Sequence, residues 1–493
     1  MRRKFITNLI LIVFLNLLIK PFWVLGIDRS VQNVVGPSEY GFYFTILNFA
    51  FLFQILLDWG TSNYNNRNIA QNNQLLSKHF SSIIILRLLF GVVFMITILA
   101  AGFLIGYNER QLYMLSIIGL NQFLLALILY LRSNISALLL FRIDSVLSVL
   151  DRLILIIVCS ILLWGGVTHE PFKIEWFVYS QTLAYSLTAI IALMIVLVKT
   201  KFHRLSWNPA FFMVVIKQSF PYFILILLMG MYNRVDSVLL ERLLPIDGQY
   251  QVGIYASAFR LLDVANNMSG YLFAVLLLPL FAKMIKDKEN LSQVLKLSFT
   301  LLFLLSTTVA VTSIFFGQDI MSMLYHQHES ESVRMFSLRM IESSQIFIIM
   351  MFAYVATSTT YIFGTLLTAN GSLKPLNIMA FFGMLISLGL NLILIPEMKA
   401  MGAAYAGLTA QVVTAIIQVV LAFKILDIHF EPKYVLKLAV FVLSLFILNG
   451  ISTYLPFEWI IRMGISLALI LMSAFALQLL NVKAFISILK YEK

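Results

Sequence analysis

Apolar residues run along this chain in blocks of about twenty or more, separated by short polar segments. A helix needs about 20 mostly apolar residues to cross the hydrocarbon of a bilayer. At that length the pattern predicts fourteen spans, near 9–30, 40–62, 81–105, 112–131, 145–165, 175–198, 219–242, 253–280, 293–316, 342–368, 376–395, 402–423, 435–454 and 459–480. The connections are short. The longest, GQDIMSMLYHQHESESVRMFSLRM, is long enough to hold a short amphipathic helix. The first block, MRRKFITNLILIVFLNLLIKPFWVLG, begins as a signal peptide does. It is long, carries Lys20-Pro21 and lacks a small-residue cleavage site, so it reads as a retained first span.

The polar segments set the orientation. With the N-terminus inside, inner segments carry roughly twenty Lys and Arg and outer loops about four: Arg110, Lys173, Arg334 and Lys399. This bias predicts both termini in the cytoplasm and an even number of spans. Composition agrees: the chain is 60% hydrophobic and 12% charged, with a mean hydropathy of +0.92. Soluble domains are closer to about 45–50% apolar and roughly 25% charged. The formal charge of +12 is mostly absorbed by the inner segments. It therefore reports topology and contact with anionic phospholipids, and gives no reason to expect nucleic acid. Cys159 is the only cysteine, so no intrachain disulfide forms.

Two segments look alike. VVGPSEYGFYFTILNFAFLFQILLDWG starts at Val34 and PIDGQYQVGIYASAFRLLDVANNMSG at Pro245. Gly36 aligns with Gly248 and Gly41 with Gly253, an offset of 212 residues, and six spans separate the copies. An even number of spans preserves orientation, so the repeat is parallel. In repeat-built transporters the substrate site lies where the repeats face each other. The expected fold is an all-α membrane protein of about fourteen transmembrane helices. Residues 1–205 form one six-helix bundle and 206–430 a second, with two further helices in 431–493.

Three stretches carry a family resemblance: GPSEYGFYFTILNFAFLFQILLDWGTSNYNNRNIA, YNRVDSVLLERLLPIDGQYQVGIYASAFRLLDV and TLLTANGSLKPLNIMAFFGMLISLGLNLILIPEMKAMGAAYAGLTAQ. In order, they resemble the second-span, seventh-to-eighth-span and tenth-to-twelfth-span regions of polysaccharide flippases. Those flippases are a branch of the multidrug/oligosaccharidyl-lipid/polysaccharide exporter superfamily. Asn391, Ile395, Pro396, Gly402, Ala403 and Ala404 match its Asn-x-x-x-Ile-Pro and Gly-Ala-Ala pieces. One departure is the turn after Ile-Pro, which members often build as a Gly-containing turn and which here reads EMKAMG.

The resemblance implies a transporter in the bacterial cytoplasmic membrane. It would flip an undecaprenyl-diphosphate-linked oligosaccharide to the outer leaflet for polysaccharide biosynthesis, in contact with a polymerase or other assembly proteins. The related lipid II flippases are similar in fold and line a cavity with arginines. Arg260 falls where one of those lies, and Arg29, in IDRS, approximates another.

The intramembrane charges are the candidate chemistry, since a charge at a helix centre costs at least ~2.5–3.5 kcal/mol. Lys20, Arg29, Arg234 and Arg260 are the candidate substrate cations, arginine being suited to phosphate by its planar, permanently charged fork. Arg260, Asp263 and Asn267 share one helix face, Asn267 being the candidate for sugar hydroxyls. Gln54, Asp58, Thr61 and Asn65 form a similar stripe. Asn233 and Asp236 share a face, whereas Arg234 lies about 200° from Asp236. Asp28, Asp58, Asp236 and Asp263 are the candidate carboxylates for coupling to a proton or sodium ion. Lys20-Pro21 predicts a kink.

A bland alternative stands beside these roles, in which Arg260 and Asp263 merely pair. Arg87, Asp144, Asp151 and Arg152 are expected to pair between the third and fifth spans or to sit near the cytoplasmic side. His326-Gln327-His328-Glu329 has no distant partner ligand and reads as a solvated loop.

No Asp-x-Asp and no Gly-Lys-Ser/Thr phosphate loop occurs. The chain therefore reads as a transporter without a cofactor or metal, and not as an enzyme such as a membrane glycosyltransferase. A lipid II flippase and a cation-coupled multidrug exporter are the nearer alternatives. The four basic candidates favour an anionic lipid over a cationic drug.

Overall fold

The computed structural model describes residues 15–16, 18–59, 74–138, 140–167, 170–199 and 209–480. Thr61, Asn65, Arg67, both basic termini and the boundary at 205 lie outside the described residues. Among the described residues every regular element is helical.

The chain forms two compact units, residues 1–253 and 254–493. The first holds a π-helical stretch, Trp23–Asp28, then α1 (Arg29–Leu52), a 3-10 turn (Gln54–Leu57), α2 (Gln74–Leu104), α3 (Glu109–Ala137), α4 (Phe141–Trp164), α5 (Ile174–Lys199) and α6 (Pro209–Leu243). Helix α7 (Gly248–Lys286) continues into the second unit. There α8 (Ser292–Leu324), α9 (Val333–Ala369), α10 (Leu373–Leu426), α11 (Pro432–Thr453) and α12 (Trp459–Ala476) follow. Among the described residues ten helices, α2–α6 and α8–α12, are long and apolar enough to cross a membrane. The expected short helix between α8 and α9 does not form. Both helices instead extend toward each other and leave only residues 325–332 as loop.

Helix α10 is 54 residues long, which would extend about 80 Å if straight, far more than the ~30 Å hydrocarbon core. It is not straight. A Cβ on Gly402 would stand 2.4 Å from the Leu394 carbonyl oxygen, although eight residues of helix span about 12 Å. The chain must therefore fold back between them. The reversal sits at Lys399, with φ 53° and ψ −129°, the first central position of a type II′ turn, which favours glycine. One helix thus contains two of the expected spans, 376–395 and 402–423.

The N-terminal arm reverses in the same way. Gly36 has φ 81° and ψ 168°, backbone that glycine adopts without a Cβ penalty. The Tyr40 hydroxyl donates to both Asp28 oxygens at 3.0 and 2.9 Å. Twelve residues of straight helix would separate them by about 18 Å. The connection between the first two expected spans is therefore a break at Gly36. Upstream, Lys20-Pro21 is followed by the π turn, where the Arg29 amide donates to the Val24 carbonyl, five residues back. Such widened turns are one of the recognised sources of helix bending.

In the first unit α1 packs against α3, α5 and α6, and α5 against α3 and α4. Tyr130, Leu131 and Ile135 of α3 meet Ile83 of α2, Leu147 of α4, and Ala192 and Val196 of α5 in one core. The two glycines of the repeat lie against each other's helices. A Cβ on Gly41 would stand 1.8 Å from the Gln249 carbonyl oxygen, and one on Gly253 2.0 Å from that of Pro37. The offset between Pro37 and Gln249 equals that between Gly41 and Gly253. Equivalent positions therefore make reciprocal contacts, as across a local two-fold axis.

In the second unit α8, α9 and α10 pack in succession, and α11 and α12 lie on α8. Leu304, Val311, Phe441, Leu445 and Ile470 form their shared core. Ser466 on α12 donates to the buried Asn449 side-chain oxygen of α11 at 2.9 Å, joining the two last helices by a satisfied polar contact.

Candidate functional site

The candidate residues fall into two groups. In the first unit, Asp28 is only 2% exposed and is held by Tyr40 across the Gly36 reversal, with the Gln32 amide more distant at 3.4 Å. Lys20 is half-buried and lies within electrostatic reach of Arg152, Arg132 and Asp151. These belong to a wider cluster. Arg132 Nε donates to Asp144 at 2.8 Å, Arg152 Nε lies 3.7 Å from Asp151, and Arg152 Nη1 donates to the Tyr185 hydroxyl at 2.8 Å. The Arg152 guanidinium also lies over Trp23, 5.7 Å from the ring centroid.

Arg29 begins α1 immediately after Asp28. Its Nε is buried with no hydrogen-bond partner among the described residues. Arg234, on α6, turns toward α1. Its Nη1 donates to Asn48 at 3.3 Å and its guanidinium lies 5.1 Å from the Phe51 ring centroid. Asp236 is fully buried while Arg234 is half-buried, as their angular separation on α6 requires.

Arg87 meets Asp58 and not a carboxylate of the expected fifth span. Arg87 is 2% exposed, pairs with Asp58 and donates to the Leu57 carbonyl at 2.8 Å. Arg87 and Asp144 thus do not pair with each other, because the 3-10 turn after α1 delivers Asp58 to Arg87 and leaves Asp144 to Arg132. Removing either member of the Arg87–Asp58 pair leaves a buried charge or a lost partner, so Asp58 has a structural duty apart from any coupling role.

In the second unit, Arg260, Asp263 and Asn267 lie along one face of α7. Arg260 Nη1 is 3.9 Å from Asp263 Oδ2, with the two side chains 16% and 18% exposed. That distance is at the outer limit of an ion pair. The Asn267 amide donates to the Asp263 backbone carbonyl at 2.7 Å, four residues back, and Asn267 is exposed.

The His326–Glu329 segment is locally satisfied. His328 Nδ1 contacts the Ser330 hydroxyl at 2.7 Å, and the His326 carbonyl accepts from Arg339. Arg339 and Glu331 form a pair that is 6% and 2% exposed, which pins the loop to the start of α9.

The sequence reading did not associate Tyr40 with Asp28, or Tyr185 and Trp23 with Arg152. Tyr40 and Asp28 meet only because the chain reverses, so no helical periodicity marks them. An aromatic within reach of an intramembrane charge on the far side of a Gly-Pro step is the signal that was present.

The fold is similar to that of solved membrane transporters of the MOP superfamily. The lipid II flippase MurJ in its inward closed conformation superposes with a TM-score of 0.72 at 16% identity, over 95% of this chain and 98% of that one. An inward-facing multidrug resistance MATE family transporter of the MOP superfamily gives 0.65 at 14% identity, over 84% and 98%. A MOP superfamily transporter from Pyrococcus furiosus, described as having reversed polarity of its binding pocket, gives 0.62 at 14%, over 86% and 95%. No curated protein is detectably similar in sequence. The profile of the family described as polysaccharide biosynthesis protein matches residues 8–285, more than half of the chain, and the chain belongs to that family.

Proposed function

We propose that the protein flips an undecaprenyl-diphosphate-linked oligosaccharide from the cytoplasmic to the outer leaflet of a bacterial cytoplasmic membrane, for polysaccharide assembly. Family membership supplies the pathway class. The observation that carries the substrate class is Arg29, whose Nε is buried without a hydrogen-bond partner among the described residues. Such a group is costly unless something anionic satisfies it, and a diphosphate supplies acceptor oxygens of the right charge and geometry.

Lys20, Arg234 and Arg260 are the further cations assigned to the diphosphate, and Asn267 is assigned to sugar hydroxyls. Asp28, Asp236 and Asp263 are the coupling candidates, with Asp58 after them because of its bond to Arg87. Ten helices, one of them a folded-back pair, together with α1, α7 and the N-terminal arm support the reading of fourteen spans. The reciprocal contact of Gly41 and Gly253 supports the parallel repeat. Both termini are assigned to the cytoplasm on the charge bias, and polymerase or assembly proteins are the expected partners.

Lipid II is the nearest alternative cargo, because a lipid II flippase shares the fold over nearly the whole chain. Binding of short-chain polyprenyl diphosphate to the purified protein, with the matching uncharged polyprenol as control, tests the substrate class. Diphosphate-dependent binding that Arg29→Ala weakens supports the reading. Equal binding of the polyprenol, or no effect of Arg29→Ala, contradicts it.

A further inference from the structure

The second unit contains a concave site lined by apolar residues alone. Five phenylalanines, Phe299, Phe303, Phe363, Phe423 and Phe430, contribute to a pocket of about 330 Å³, and α11 closes one side with Val435 and Ala439. The rings brace one another edge-to-face, Phe363 on Phe423 at 5.9 Å and Phe423 on Phe430 at 5.2 Å. Phe363 is buried, while Val435 and Ala439 are exposed. The pocket is therefore a cleft with Phe363 at its buried floor and exposed residues on its α11 side.

Lysines stand beside its lining residues along the chain. Lys296 stands one turn before Phe299 on α8, Lys424 follows Phe423, and Lys433 and Lys437 flank Val435 on the first turns of α11. The nearby acids are Glu431, Asp427 and, beyond the α7 end, Asp287 and Glu289. Glu431 is already bound to Lys296 at 2.7 Å, and that hydrogen bond holds its carboxyl below the usual carboxylate range. Asp427 lies 3.9 Å from His429. Lys437 reaches only a 3.5 Å contact with Gln478. Lys424 and Lys433 are exposed. Basic pockets between membrane helices bind acidic lipid headgroups.

We infer that this cleft is a binding site for an anionic glycerophospholipid, one acyl chain lying on the phenylalanine floor and the phosphodiester held by Lys424 and Lys433. A cavity of this size takes part of one chain and is small for a long polyprenyl tail. The inference is independent of what the protein transports.

Native mass spectrometry of the full chain in detergent tests it, with phosphatidylglycerol and phosphatidylcholine of the same acyl chains as probes. The expected result is retention of phosphatidylglycerol about tenfold over phosphatidylcholine. Ala439→Trp fills the cleft and removes this retention, while Leu443→Trp, exposed and outside the lining, does not. Val435→Trp repeats the test should Ala439→Trp fail to fold, as judged by its melting temperature. Lys424→Gln with Lys433→Gln removes the headgroup preference while leaving chain binding. Equal retention of both lipids, or unchanged retention after filling, overturns the inference. So does displacement of phosphatidylglycerol from the wild type by an uncharged polyprenol at equal concentration, which would assign the cleft to an isoprenoid tail.

Discussion

At the scale of single residues, two contacts separate function from architecture. Arg260 lies at the limit of ion pairing with Asp263. As a substrate contact, its replacement by Ala abolishes transport with membrane abundance unchanged, and Lys restores only part, because charge survives but the fork does not. As a structural partner alone, Arg260→Ala lowers abundance and the double change with Asp263→Ala restores both folding and transport. Abundance measured beside transport distinguishes the two. Tyr40 offers a cleaner stability test. Its hydroxyl is a donor to the buried Asp28 carboxylate, and losing a bond to a charged acceptor costs about 1.5–3 kcal/mol. Tyr40→Phe is therefore expected to lower the melting temperature, and an unchanged midpoint would show that Asp28 does not depend on it.

These residue pairs were the least legible part of the sequence. Arg260, Asp263 and Asn267 follow one another at helical spacing, so their shared face could be read directly. Asp28 and Tyr40 meet across a chain reversal, and Asp58 meets Arg87 through a 3-10 turn. Neither has a period. The charges were visible as anomalies in apolar blocks, but their partners depend on turns that apolar patterning does not encode.

At the scale of elements, the apolar blocks were long enough to mark the membrane helices, and the polar breaks marked most of their ends. The reversal inside α10 shows how a turn without glycine is tolerated. Lys399 occupies the position where glycine is favoured, with φ 53°, and the neighbouring Gly402 lets the second arm approach Leu394 closely. Relief of backbone strain makes Lys399→Gly stabilising by about 1 kcal/mol, an effect partly offset by the extra freedom glycine gives the unfolded chain. A lower melting temperature would mean that the lysine side chain contributes more than its backbone costs. The crossing of α1 and α7 behaves oppositely. At Gly41 the obstructing atom is a backbone oxygen, which cannot rotate away as a side chain can. Gly41→Ala is expected to destabilise by about 1–3 kcal/mol or to prevent folding, and Gly253→Ala to do the same, because their contacts are reciprocal. Normal stability of both variants would show that the two helices part easily at this crossing.

At the scale of the whole molecule, a fold shared with lipid II flippases and multidrug transporters does not choose a cargo, because function lies in the site. Family membership places the chain in polysaccharide biosynthesis, and the proposal of an anionic carrier lipid rests on the intramembrane cations. The most direct test is transbilayer movement in proteoliposomes, with an undecaprenyl-diphosphate-linked oligosaccharide labelled on its sugar and quenched from one side. The account predicts faster loss of protection than in empty vesicles, abolished by Arg29→Ala and by Arg260→Ala in correctly folded protein. Movement no faster than in empty vesicles, in the same preparation that moves lipid II or a cationic drug, would contradict it.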